Sequence, residues 1–220
     1  MRITRDVALI EYSAKTDFLN HITHAAADIL ALFGAAALIK KAAPLGMKAL
    51  ISCVVYSITL LCVYSFSAVY HALPQGEKRR KARLLDHLAI PLLLAGTTTP
   101  CALVTLYRIS RFHAFAVFGV AWFCAVFGIV AKLFFFEKLK ALVMAVYFIG
   151  GAGMLASAFP AAGRLNHTGL VLLVAGSVFY IIGALFCKAG IKKPPLHVVF
   201  HIFTVLGSLF HYLAIYLYVI

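Results

Sequence analysis

Seven stretches of the chain are apolar at nearly every position and are separated by short polar segments. They run approximately over residues 21–39, 50–73, 84–107, 112–130, 141–161, 167–187 and 197–220. A helix needs roughly 20 mostly apolar residues to cross a bilayer, and each stretch is of that order. The separators carry turn and stop signals: Lys40-Lys41 with Pro44, Pro74 to Arg83, Arg108 to Arg111, Lys132 to Lys140, Gly163-Arg164, and Lys188 to Pro195. Pro194-Pro195 halts a helix before the last stretch. The pattern predicts an all-α fold, a seven-transmembrane helix bundle. One domain covers residues 1–220, with residues 1–20 as a short N-terminal segment. No repeat, low-complexity tract or second domain is visible.

Composition removes the soluble alternative. Hydrophobic residues make up 64% of the 220 and charged residues 12%, and mean hydropathy is +0.99. A soluble domain of this size could not hide so much apolar surface, whereas a lipid-facing exterior needs to hide none. No secretory signal peptide is visible, because the charged lead holds Asp6, Glu11 and Asp17 and no cleavage site follows the first run. Cys53, Cys62, Cys101, Cys124 and Cys187 all sit inside apolar runs without a CxxC pair, and read as small buried hydrophobes.

The formal charge of +13 is scattered between apolar runs, not gathered on a folded face as nucleic-acid binding requires. Alternating the loops gives it a meaning. Of the 20 Lys and Arg, fourteen fall in the N-terminal segment and around residues 78–83, 132–140 and 188–193, against six on the other side. The positive-inside rule then places the N-terminus in the cytoplasm and Ile220 outside.

Ionisable side chains inside spans are costly and call for a functional reason. His71 closes the second run, Asp86 opens the third, His197 and His201 open the seventh, and Asn20, Thr23 and His24 open the first. With alternating spans, all of them fall at the cytoplasmic level. His197 and His201 are four residues apart, so both rings project from one helical face and can supply two ligands to one metal. Ser67 and His71 share that spacing. Three neutral imidazoles leave a fourth position open on zinc, the metal that imidazole-rich sites suit, and Asp86 can orient or deprotonate a water there. His24 is either a fourth ligand or, the preferred reading, an interhelical hydrogen-bonding group. Asp28, one turn deeper, pairs with His24 or holds water. His211 lies about 15 Å beyond His201 along the helix, too far to share the ion, and is expected to bond across helices to a Ser, Thr or Tyr. His21, His87, His113 and His167 read as interfacial residues.

Several ordered motifs resemble the haemolysin III family of bacterial membrane proteins, distant relatives of the progestin and adipoQ (adiponectin) receptors. They are Asn20-His21-Ile22-Thr23-His24, Ser67-Ala68-Val69-Tyr70-His71-Ala72-Leu73-Pro74, Leu85-Asp86-His87-Leu88-Ala89-Ile90, Ala95-Gly96-Thr97-Thr98-Thr99-Pro100, His197-Val198-Val199-Phe200-His201 and Gly207-Ser208-Leu209-Phe210-His211-Tyr212. The resemblance implies seven spans, a cytoplasmic N-terminus and a zinc ion on three histidines, which fall on His71, His197 and His201. It also implies an aspartate contacting zinc through water, on Asp86, and a site serine, on Ser67. The receptors are described as ceramidase-like amide hydrolases, and the bacterial members are assigned to membrane homeostasis or, historically, cytolysis. This chain has Phe200 where the family usually has Trp, Thr98 and Pro91 where it has Tyr, and Ala25 where it has Gly, with Asp28 added. These differences bear on pocket shape, not on the proposed ligands.

The expected function is therefore a Zn2+-dependent hydrolase of a lipid amide or ester, with membrane lipids as partners and Asp86 and Ser67 as catalytic groups. Aromatic and small residues around Gly150, Gly151 and Gly153 are expected to shape its lipid cavity. A non-catalytic stress regulator or receptor with structural zinc is the rival, followed by a pore-former.

Overall fold

The computed structural model describes residues 7–136, 138–139, 141–148, 151 and 166–220. Six helices among these residues are long and apolar enough to cross a membrane. They are α1 (Ala14–Ala42), α2 (Met47–Ala72), α3 (Glu77–Pro100), α4 (Arg111–Phe135), α5 (His167–Gly190) and α6 (Pro195–Ala214). No strand occurs among the described residues, and the protein is a multi-pass, all-helical membrane protein. The fifth predicted span, 141–161, falls largely outside the described residues, although 141–148 are helical.

Local signals set the helix starts. Ser13 caps α1 by accepting from the Thr16 N–H, and Asn166 caps α5 by accepting from Gly169. Several helices outrun their apolar stretch. α1 begins at Ala14 and α3 at Glu77, each seven residues before the predicted span. Hydropathy marks where lipid begins, but the backbone hydrogen-bond ladder continues into the interface until a cap stops it. Those added turns carry Asp17 and Arg79.

Within α3, Pro91 and Pro100 remove two backbone donors. Thr98 and Thr99 hydroxyls donate to the Leu94 and Ala95 carbonyls at 2.8 and 2.7 Å, and the chain passes into π-helical turns over Cys101–Leu106. Such local adjustment is how a proline is tolerated in a span.

Contacts between helices follow the order α4, α3, α2, α1, α6, α5, so α1 bridges the second helix and the last. α5 and α6 pack most extensively of all. The buried residues of α5 are Gly169, Gly176, Gly183 and Gly190, a seven-residue repeat of the smallest side chain. A Cβ on Gly176 would lie 2.3 Å from the His211 ring and 2.9 Å from the Gly207 carbonyl, so the two backbones touch there. Lipid-facing positions on other helices are large and apolar, including Leu30, Phe33, Phe112 and Phe123.

Candidate metal centre

The inner face of α6 is polar where the rest of the helix is apolar: His201, Thr204, Ser208 and His211 are all buried. On α1 the buried stripe opens with Thr16, Asn20 and His24 before turning to alanines. On α2 it closes with Ser67, Tyr70 and His71. Alternating helix directions bring these three polar ends to one end of the bundle.

There His71, His197 and His201 converge. One ligand atom from each lies within 4.8 Å of the others. His71 and His201 are buried, and His197 is half-buried. Ring centroids are 5.3 Å apart for His71 and His197, 5.1 Å for His71 and His201, and 4.8 Å for His197 and His201. Nε2 of His71 and both nitrogens of His201 are buried without a hydrogen-bond partner. A buried polar atom left unpaired costs about 1–3 kcal/mol, so a cluster of them calls for something to bind. Three converging imidazoles, two of them with unpartnered nitrogens, are a donor set that suits one metal ion. The three histidines can therefore hold a metal.

His71 is oriented from outside the cluster. Its Nδ1 lies 3.0 Å from Asp17 Oδ1. One terminal nitrogen of Arg79 donates to both Asp17 oxygens, at 2.7 and 2.9 Å, and the other donates to the Leu73 carbonyl at 2.7 Å. Neither Asp17 nor Arg79 stood out in the sequence as part of the site. The available signal was Asp17 at three and seven residues before Asn20 and His24, on one helical face.

Tyr12 covers the group from the non-helical N-terminal segment, its ring 5.4 Å from both His71 and His197. Burial pushes its phenol up from the ordinary value, so it stays neutral. Val7, in the same segment, packs with Leu84 and Phe136.

Asp86 is not among the clustered atoms. It faces Ser67 on α2 and lies in the field of Arg83 and Lys132. His24 departs from the expected interhelical hydrogen bond. Both its nitrogens are unpartnered, and its ring stacks on His201 at 3.8 Å and 18°. Helix rotation turns its flat face, not its nitrogen edge, to α6. Asp28 does not pair with His24 either, because Ser65 donates to it at 2.7 Å. Thr23 turns its hydroxyl back to the Leu19 carbonyl.

His211 bonds across to α5, to the Leu173 carbonyl at 3.0 Å and the Ser177 hydroxyl at 3.4 Å. Among the supposed interfacial histidines, His167 is exposed and His113 bonds its own cap Ser110. His21 reaches the Ala68 carbonyl at 2.9 Å. His87 is not a free interfacial group, since it meets buried Lys132 at 3.3 Å. The five cysteines are free. The cavity expected around Gly150 and Gly153 lies outside the described residues.

A family model described as "Haemolysin-III related" matches residues 12–212. The chain belongs to this family. Within it, the chain is 29% identical over 219 residues to "Hemolysin-3" of Bacillus cereus, covering 99% of this chain and 98% of that one. It is 30% identical over 199 residues to the "Hemolysin-3 homolog" of Bacillus subtilis (strain 168), covering 90% and 91%. For this haemolysin-III relative the matched region spans Tyr12, Asp17 and every histidine of the cluster.

Proposed function

We propose that the protein is a zinc-dependent membrane hydrolase that cleaves a lipid amide or ester and serves membrane homeostasis. The observation that carries this reading is the convergence of His71, His197 and His201 with unpartnered nitrogens at one end of a lipid-embedded bundle. His71, His197 and His201 would hold the ion. When bound, zinc supplies a Lewis acid that polarises a carbonyl and acidifies water.

Asp86, which is not in the ligand set and faces Ser67, would orient a water and accept its proton. Ser67, facing Asp86 from the helix turn before His71, would hold that carboxylate or the water by its hydroxyl. Tyr12, whose ring packs against His71 and His197 from the N-terminal segment, would limit access from the water and so favour substrate entry from the bilayer. The excess of Lys and Arg at this end of the bundle supports a cytoplasmic location for it, in a bacterial inner membrane.

A second reading keeps the zinc but not the turnover: a regulator or receptor whose ion ties α2 to α6. One observation favours it. A groove of about 440 Å³ between α1 and α2 is lined by His21, Asp28, Ser65 and neighbouring apolar residues, and does not include the three histidines. The relatives' name, hemolysin, adds cytolysis by pore formation as a third reading, and no observation among the described residues favours it over the other two.

The deciding experiment is quantification of bound metal in detergent-purified protein, with His71→Ala, His197→Ala and His201→Ala in parallel. About one zinc per chain, lost in each folded variant, is expected. Absence of metal after zinc is offered would overturn the hydrolase reading. Release of fatty acid from a panel of lipid amides and esters then separates enzyme from regulator.

A further inference from the structure

Of the three imidazoles, His71 is the one whose second ring nitrogen is engaged. Nδ1 meets Asp17 Oδ1 at 3.0 Å, while Nε2 is buried and has no hydrogen-bond partner. An imidazole that gives its Nδ1 proton to a carboxylate keeps its lone pair on Nε2. A rival for that nitrogen exists: the Asn20 amide nitrogen lies 3.4 Å from the same Nδ1. The carboxylate is nearer and charged, so it takes the proton. An Nδ1 that gives its one proton to Asp17 has no lone pair for the Asn20 N–H, so the 3.4 Å approach of Asn20 is a contact and not a competing hydrogen bond.

The carboxylate is itself held. A plain ion pair would set both terminal nitrogens of the guanidinium against the two carboxylate oxygens as a fork. Arg79 does otherwise. One terminal nitrogen spans both Asp17 oxygens, the other caps the Leu73 carbonyl two residues beyond His71, and the guanidinium lies 5.0 Å over the Tyr70 ring. Oδ1 is therefore shared between Arg79 and His71. The Arg79 side chain is 3% exposed and that of Asp17 17%, so water competes weakly for this contact. The arrangement runs from α3 through α1 to α2, so α1 supplies the charged partner of a cluster residue.

We propose that Asp17, clamped by Arg79, is a positioning residue that fixes the tautomer and angle of His71 and thereby sets the metal affinity of the cluster. The inference rests on the metal reading above and adds a control point to it. A carboxylate behind a ligating imidazole makes the imidazole a stronger base, and removing such a partner typically weakens metal binding 10–100-fold.

The test is competition titration of Zn2+, and of Co2+ with its visible spectrum, against a chelator in the purified full-length protein. Wild type, Asp17→Asn, Asp17→Glu, Arg79→Gln and the Asp17→Asn/Arg79→Gln double variant are compared. Asp17→Asn is expected to bind about 10–100-fold more weakly with an altered Co2+ spectrum, in a metal-free protein that still folds but melts lower because Arg79 loses its carboxylate. Asp17→Glu should recover part of the loss. Arg79→Gln should weaken binding less, and the double variant should be no weaker than Asp17→Asn alone, because the two act in series.

Arg79→Gln leaves the carboxylate in place and carries the test if Asp17→Asn does not fold. Affinity of Asp17→Asn within twofold of wild type, or strictly additive losses in the double variant, would overturn the inference while leaving the metal site intact. A wild-type protein that binds no metal would overturn both.

Discussion

At the scale of single residues, three histidines converge as a candidate ligand set, and Asp86 and His24 stay outside it. Asp86 lies outside the ligand set and against Ser67. Asp86→Asn is therefore expected to keep its metal content while losing roughly 10²–10⁴-fold in hydrolysis, the usual worth of a general base. Loss of the metal instead would make Asp86 a ligand. His24 makes the opposite prediction. Its ring is stacked flat on His201 at 3.8 Å, so its nitrogens do not converge with the other three. His24→Phe preserves the stack and should retain about one ion per chain, measured by metal analysis. The sequence could place His24 on the right helix and level. It could not give the rotation of α1 about its axis, which decides whether the ring presents its edge or its face.

At the scale of elements, two devices hold the site. The first is the α5–α6 contact, where the α5 glycines let α6 approach until backbones meet. Gly190, at the end of that stripe, would bring a Cβ within 3.1 Å of the His197 backbone nitrogen. Gly176→Ala is expected to cost about 1–3 kcal/mol through overpacking, read as a lower melting temperature in detergent. Gly119→Ala on α4, where a Cβ meets nothing within 4 Å, is the matched control and should not destabilise. The second device is the N-terminal strap that ends at Tyr12. Tyr12→Ala should leave metal stoichiometry intact and speed removal of the ion by an aqueous chelator. An unchanged rate would mean the strap does not cover the path. Neither device was visible as such in the chain. A glycine repeat matters only beside a particular partner helix, and a polar N-terminal segment gives no sign of where it folds back.

At the scale of the whole molecule, the cluster joins α2 to α6, helices separated by most of the sequence. An ion that binds only the folded state stabilises by RT ln(1 + [M]/Kd), about 2.7 kcal/mol at 100 times Kd. Melting temperature should therefore rise with free zinc in wild type and stay flat in His201→Ala. Orientation belongs to this scale too. The excess of Lys and Arg shares its end of the bundle with the histidines, so a single cysteine at Lys192→Cys, in a cysteine-free background, should react with an impermeant reagent only from the cytoplasmic side. Reaction from outside would invert the topology and move the cluster to the opposite leaflet.

What the sequence determined by itself follows from lipid being a uniform solvent. Any long apolar run must be helical and must span, because the bilayer core offers backbone groups no partner. Helix periodicity then fixes which residues share a face, and alternation fixes which ends share a level. His71, His197 and His201 were legible on those grounds, as were His211's separation from them and the bonding of His211 across helices. What the tertiary structure decided is how each helix is rotated and how far it continues past the apolar stretch. Those two quantities put Asp17 against His71, brought Arg79 to Asp17, laid His24 flat on His201, turned Asp28 to Ser65 and set His87 against Lys132. They depend on side-chain packing between helices distant in sequence, and hydropathy carries no information about that.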